Sequence, residues 1–119
     1  MIELIDTQSP RAIGIKIAGK IERPDVDKLR KAIDEKLEHT GKLGAYVELE
    51  SFGGISLDAL VEDLKLFIPY LNKFDKKAVV SDEEWVGNIA EIAGKLVPGI
   101  EVRHFTPDQK GEAMEWVRE

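Results

Sequence analysis

The chain reads as an α/β fold whose sheet carries helices mainly on one face, and three observations predict this. Ile13, Ile15 and Ile17 alternate with Gly14, Lys16 and Ala18, while Ala45, Val47 and Leu49 alternate with Tyr46, Glu48 and Glu50. Successive strand side chains point to opposite faces, so each of these segments has one oily face and one wet or half-wet face. Strands covered by helices on both sides read instead as nearly continuous apolar runs, which these segments are not. Finally, amphipathic helical stretches lie between the strands, so the chain alternates strand and helix.

Taken in order, residues 2–6 and 12–19 read as the first two strands, joined by the turn-forming Gln8, Ser9, Pro10 and Arg11. A connection of hairpin length predicts that they pair antiparallel. Pro24 and Asp25 open a helix, since proline in a first turn has no N–H bond to lose, and Val26, Leu29, Ile33 and Leu37 form its apolar stripe. It stops between His39 and Gly41, where glycine takes a left-handed cap. Residues 44–50 form the third strand.

Leu57, Leu60, Val61, Leu64, Phe67, Ile68 and Leu71 then give the strongest helical periodicity of the chain. Ser56 caps that helix through its hydroxyl, Ile55 and Leu60 form a hydrophobic staple, and Pro69 kinks or ends it. A short strand follows at residues 77–81. Ser81 or Asp82 caps a further helix to about residue 96, with Val86, Ile89, Ala90 and Ala93 on its buried side. Pro98 and Gly99 break it, residues 100–105 form the fifth strand, and Thr106 with Gln109 makes a capping box for a last helix through Val117.

The 119 residues suit a single domain, 1–119, and the composition, 43% hydrophobic and 34% charged, is that of an ordinary globular protein. A net charge of −6 repels phosphate, which argues against nucleic acid as a partner. Without cysteine there are no disulfides, thiolate metal sites or cysteine nucleophiles. The first seven residues carry Glu3 and Asp6 rather than a basic and then apolar block, and no apolar run approaches membrane-spanning length. A cytoplasmic location is the default expectation.

The order of elements, the segment AVVSDEEW at residues 78–85 and the segment VRHFTPDQKGEAMEW at residues 102–116 resemble the SpoIIAA-like proteins of the STAS and lipid-carrier (CRAL-TRIO) superfamily. The resemblance covers the whole chain. It implies a mixed, mostly parallel five-stranded sheet whose parallel strands run roughly in sequence order. STAS proteins of the anti-sigma-factor antagonist type carry a phosphorylatable serine at the start of the helix after the third strand. Here Leu57 stands at that position, within Ile55, Ser56, Leu57, Asp58 and Ala59, and leucine cannot accept phosphate. Ser56 is left with a capping role.

Ligands of open strand-helix sheets sit at the carboxyl ends of the parallel strands. The sharpest candidate there is the loop Glu50, Ser51, Phe52, Gly53, Gly54 with Ser56, whose glycines permit close backbone approach and whose following helix offers unpaired N–H groups. Asp82 and Trp85 join the same edge, Trp85 as a stacking surface. Each has a plainer reading: a Gly-Gly turn, a capping serine, a first helical turn favoured by acidic Asp82, Glu83 and Glu84, and an aromatic covering the sheet edge. Glu50 with Asp82, Glu83 and Glu84 is also a possible carboxylate cluster for a cation or for acid-base work. His39 and His104 are too few for a metal centre, and His104 is read as a satisfied core or half-buried histidine. Trp116, beside Met114 and Val117, is read as core or interface.

These readings favour a non-enzymatic regulatory or ligand-binding module with no cofactor and no metal. It would take a small-molecule or protein partner, with a homodimer possible. The alternatives are a small-molecule carrier for nucleotide or lipid, and an enzyme using Glu50 or Asp82.

Overall fold

The computed structural model describes residues 1–18, 21–38, 41–49, 73–81 and 102–119. They form a five-stranded sheet in the order β1-β2-β3-β4-β5, made of β1 (Ile2–Ile5), β2 (Ala12–Ile17), β3 (Leu43–Leu49), β4 (Phe74–Val80) and β5 (Val102–Phe105). The β1/β2 pair is antiparallel and the other three pairings are parallel, so the sheet is mixed and mostly parallel as expected. Two helices are described, α1 (Arg23–Leu37) and a C-terminal helix (Lys110–Arg118) entered through a 3-10 turn at Pro107–Gln109. The helices read over residues 57–71 and 82–96 lie outside the described residues.

The β1–β2 turn is built from short-range polar contacts. The Asp6 Oδ1 accepts the Gln8 N–H at 2.8 Å and Gln8 takes φ +56°, so the reversal uses a left-handed residue that is not glycine. Thr7, 1% exposed, braces the loop by donating its hydroxyl to the Ala12 carbonyl at 2.8 Å. At the start of α1 the capping box joins Glu22 and Asp25, with the Glu22 N–H donated to Asp25 Oδ2 at 2.9 Å. Asp25 Oδ1 also accepts the Ile2 N–H at 3.2 Å, which ties the helix to β1.

The core has two parts, one on each face of the sheet. On the α1 face Ile13, Ile15, Ile17, Leu43 and Ala45 pack with Val26, Leu29 and Ile33. Each buried valine, leucine or isoleucine among them contributes about 1.5–3 kcal/mol when removed from water. On the other face Ala12, Tyr46, Ala78 and Val80 pack with Ala113 and Val117 of the C-terminal helix. The expectation of a wet face therefore fails at the centre of the sheet. Tyr46 is 2% exposed, covered by a helix of its own chain rather than by a second copy.

Small side chains make this second layer possible. A Cβ added to Gly44 would stand 2.2 Å from the Val117 carbonyl oxygen, so the helix rests on the bare strand backbone. Glu48, also read as solvent-facing, accepts the Tyr46 hydroxyl at 2.7 Å and lies 3.8 Å from the Lys110 ammonium.

β4 begins earlier than the residue 77 expected from its sequence. A register shift against β3 pairs Leu43 with Phe74 and Gly44 with Lys76, leaving Asp75 as the extra residue. The bulge turns Phe74 into the α1 core and sends Ala78 and Val80 to the opposite one.

Candidate functional site

The carboxyl ends of all four parallel strands are level. Ile17 pairs with Leu49, Glu48 with Val80 and Val80 with Phe105, so the four chains leave the sheet at one edge. The eight residues expected to form the site, Glu50, Ser51, Phe52, Gly53, Gly54, Ser56, Asp82 and Trp85, lie outside the described residues, as does His39. What the structure describes is the rim from which those segments start in sequence, directly after Leu49 and Ser81.

That rim is held by a polar lock. The Ser81 N–H donates to the Phe105 carbonyl at 3.0 Å, extending the β4/β5 pairing by one residue. His104 Nε2 lies 2.9 Å from Ser81 Oγ and 3.0 Å from the Ser81 carbonyl oxygen. A carbonyl oxygen only accepts, so the Nε2 contact with it is a hydrogen bond in the tautomer that carries its proton on Nε2, while the Ser81 hydroxyl pairs with either tautomer. Ser81 is 2% exposed and His104 half-buried. His104 is thus the satisfied, half-buried residue expected.

The pairing of Ser81 with His104 escaped sequence reasoning. The two are 23 positions apart and meet only because the β4/β5 register sets Val79 opposite His104. A serine ending one strand and a histidine on the next carry no signal until that register is known.

Just beyond the rim, Thr106 opens the C-terminal helical segment as the sequence predicts. Its N–H donates to Gln109 Oε1 at 3.0 Å. The Thr106 hydroxyl donates to Asp108 and holds that carboxyl below its usual range.

On the C-terminal-helix side, Trp116 packs against Phe105 with ring centroids 6.1 Å apart, joining the second core at its margin. The Arg103 guanidinium stands 4.7 Å and the Lys76 ammonium 5.5 Å from the Trp116 ring centre. Lys76 also donates to the Trp116 carbonyl at 3.3 Å and pairs with Glu119 at 3.5 Å. These cations tie β4 and β5 to the helix. Lys77, on the α1 face, is held partly out of water, which lowers its ammonium pKa to about 8 against the opposing pull of Asp75.

Among the described residues, no helix is long and apolar enough to cross a membrane. No curated protein matches the chain. Among solved structures, the chain is similar to an uncharacterised DUF3478-family protein with a SpoIIAA-like fold from Shewanella loihica PV-4, at 22% identity and a TM-score of 0.66. The similarity covers 98% of this chain and 92% of that one. It shows a shared fold. The SpoIIAA-like family model matches residues 12–118, which takes in β2 through the C-terminal helix and both halves of the core. A mostly parallel sheet in sequence order, with an antiparallel first strand and a match over nearly its whole length, makes this chain a member of the SpoIIAA-like family.

Proposed function

We propose that this protein is a non-enzymatic regulatory or ligand-binding module, with its binding edge at the carboxyl ends of the parallel strands. Residues 50–56 and 82–85 would supply the contacts, with Phe52 and Trp85 as aromatic surface and Glu50 and Asp82 meeting the polar end of a ligand. Those carboxylates favour a neutral, cationic or metal-chelated ligand over a bare anion.

The observation that carries this reading is the state of the Ser81–His104 pair. A serine beside a histidine at the carboxyl edge is the arrangement an enzyme would use for nucleophilic attack, with the ring nitrogen taking the hydroxyl proton. Here that nitrogen also faces the Ser81 carbonyl oxygen at 3.0 Å, and Ser81 is buried. A ring nitrogen engaged by both oxygens of a buried serine ties the end of β4 to β5, so the pair braces the rim. A rigid rim suits recognition by the segments that follow it. The domain would act in the cytoplasm.

The test is a fluorescence titration of Trp116→Phe, which leaves Trp85 as the sole tryptophan. Nucleotides with and without magnesium, and fatty acids, are the probes. A saturable response abolished by Phe52→Ala supports the binding edge. No response to any class, or a response unchanged by Phe52→Ala, removes the small-molecule site.

A further inference from the structure

The β1–β2 turn receives a charged donor from each of the two described helices, although those helices pack on opposite faces of the sheet. Lys36, in the last turn of α1, donates its ammonium to the Ser9 carbonyl at 3.0 Å. Arg118, closing the C-terminal helix, donates its Nε–H to the Thr7 carbonyl at 2.7 Å. Both bonds are partly buried, where a charge-assisted bond is stronger than in open water. A cation in the last turn of a helix ordinarily serves that helix's own carbonyls and dipole. Here each holds a carbonyl of another element, and the two carbonyls flank one residue.

That residue is Gln8, at φ +56°. The left-handed region is disfavoured for any side chain larger than glycine, so it persists only where the surroundings over-determine it. The dihedrals of Gln8 set the angle between the Thr7 and Ser9 peptide planes. If Gln8 relaxed to negative φ, the two carbonyls would no longer both meet their donors. Each cation therefore stabilises the backbone conformation that the other one needs. The far end of the turn does not share in this freedom. The Gly44 N–H donates to the Arg11 carbonyl at 2.7 Å, and the Arg11 guanidinium meets Asp75 at 2.9 Å, which fixes Arg11 to β3 and β4.

We infer that the β1–β2 turn is a conformational clasp that couples the two helices energetically across the sheet, so that releasing the end of one loosens the end of the other. Coupling between separated sites needs an element with two arrangements whose balance both sites bias. Gln8 supplies it, left-handed when both cations are seated and relaxed when either is lost.

The test is a double-mutant cycle on the full chain with Lys36→Met and Arg118→Met, which keep an apolar stem and remove the charged donor. Urea unfolding should show the unfolding constant of each single variant raised about tenfold, as befits a lost bond to a charged group. Independent sites multiply to within about twofold. The double variant should instead fall at least about threefold short of the product, because the first loss already frees the turn.

Amide hydrogen exchange reads the same coupling in the single variants. Lys36→Met should speed exchange of the Val117 and Arg118 amides on the opposite face, and Arg118→Met that of Leu37 and Glu38. Asp25→Asn is the control, since it weakens the other end of α1 without touching the turn. In that variant Val117 and Arg118 should speed up only as far as the global unfolding constant rises. The inference is overturned if the single effects multiply within about twofold, or if either single variant leaves the unfolding constant unchanged. It is equally overturned if Val117 and Arg118 in Lys36→Met gain no more than global unfolding accounts for. Should the double variant not fold, the exchange comparison decides alone.

Discussion

Gly44→Ala tests the support of the C-terminal helix. The new methyl would sit 2.2 Å from the Val117 carbonyl oxygen and 3.0 Å from its carbonyl carbon and Cβ, whereas ordinary contact begins at 3.4 Å. Two of the three obstructing atoms are backbone, so no rotamer change relieves the clash. The helix must withdraw by about 1.2 Å, a distance at which close-packed contacts are largely forfeited.

The side chains that lose contact are Ala113 and Val117, both 0% exposed, and Tyr46 beneath them. Overpacking of this kind costs roughly 1–3 kcal/mol, and the upper half of that range is expected because the obstruction is rigid. For a domain of this size, about 2–3 kcal/mol lowers the melting temperature by roughly 8–12 °C. Urea unfolding followed by circular dichroism gives the free energy. Tryptophan emission should shift red as Trp116 loses its packing on Phe105. If Gly44→Ala stays within about 0.5 kcal/mol of wild type, as neutral surface changes do, the helix does not rest on β3 and the two-faced core is wrong.

Tyr46→Phe should cost about 1–2 kcal/mol at neutral pH, because a buried hydroxyl bond to Glu48 is lost. Burial first, then the hydrogen bond and charge of Glu48, push the Tyr46 phenol well above its ordinary 10.0. Its contribution is intact below that value and lost as pH rises beyond it, since the unfolded phenol ionises first. Urea midpoints between about pH 9 and 11 should fall in the wild type and fall less in Tyr46→Phe, and equal slopes would refute the assignment. Asp25 is held below its ordinary 3.8, chiefly by the Glu22 N–H bond, with Ile2 adding and burial opposing. Its stabilisation is present above that value and lost as pH falls through the lower folded one. Asp25→Asn should cost about 1 kcal/mol at neutral pH and shrink the acid-side loss. Gln8→Gly should raise stability by up to about 1 kcal/mol by relieving a left-handed φ of +56°, and a lowered melting temperature would contradict that.

Much of the architecture follows from local pattern. The isoleucines at 13, 15 and 17 define a strand with a single apolar face, and the structure turns that face onto Val26, Leu29 and Ile33 of α1. The short polar connection after β1 dictates an antiparallel pair, since a parallel one needs a crossover. Thr106 and Gln109 announce the start of the final helical segment because a capping box is a contact between neighbours in sequence.

Long-range packing settled the remainder. Tyr46 alternates with Val47 as a wet residue would, and nothing local separates a tyrosine in solvent from one beneath a helix. The small residues Ala12, Gly44 and Ala78 were the available sign, since an outer face without bulk leaves room for a helix backbone. The bulge at Asp75 is invisible in sequence because it exists only relative to the partner strand, yet it decides which face Phe74, Ala78 and Val80 serve. The Ser81–His104 lock is likewise a property of strand register. Periodicity fixes which residues share a face of one element. Which elements meet across that face depends on contacts between residues far apart in the chain, and those arise only when the sheet assembles.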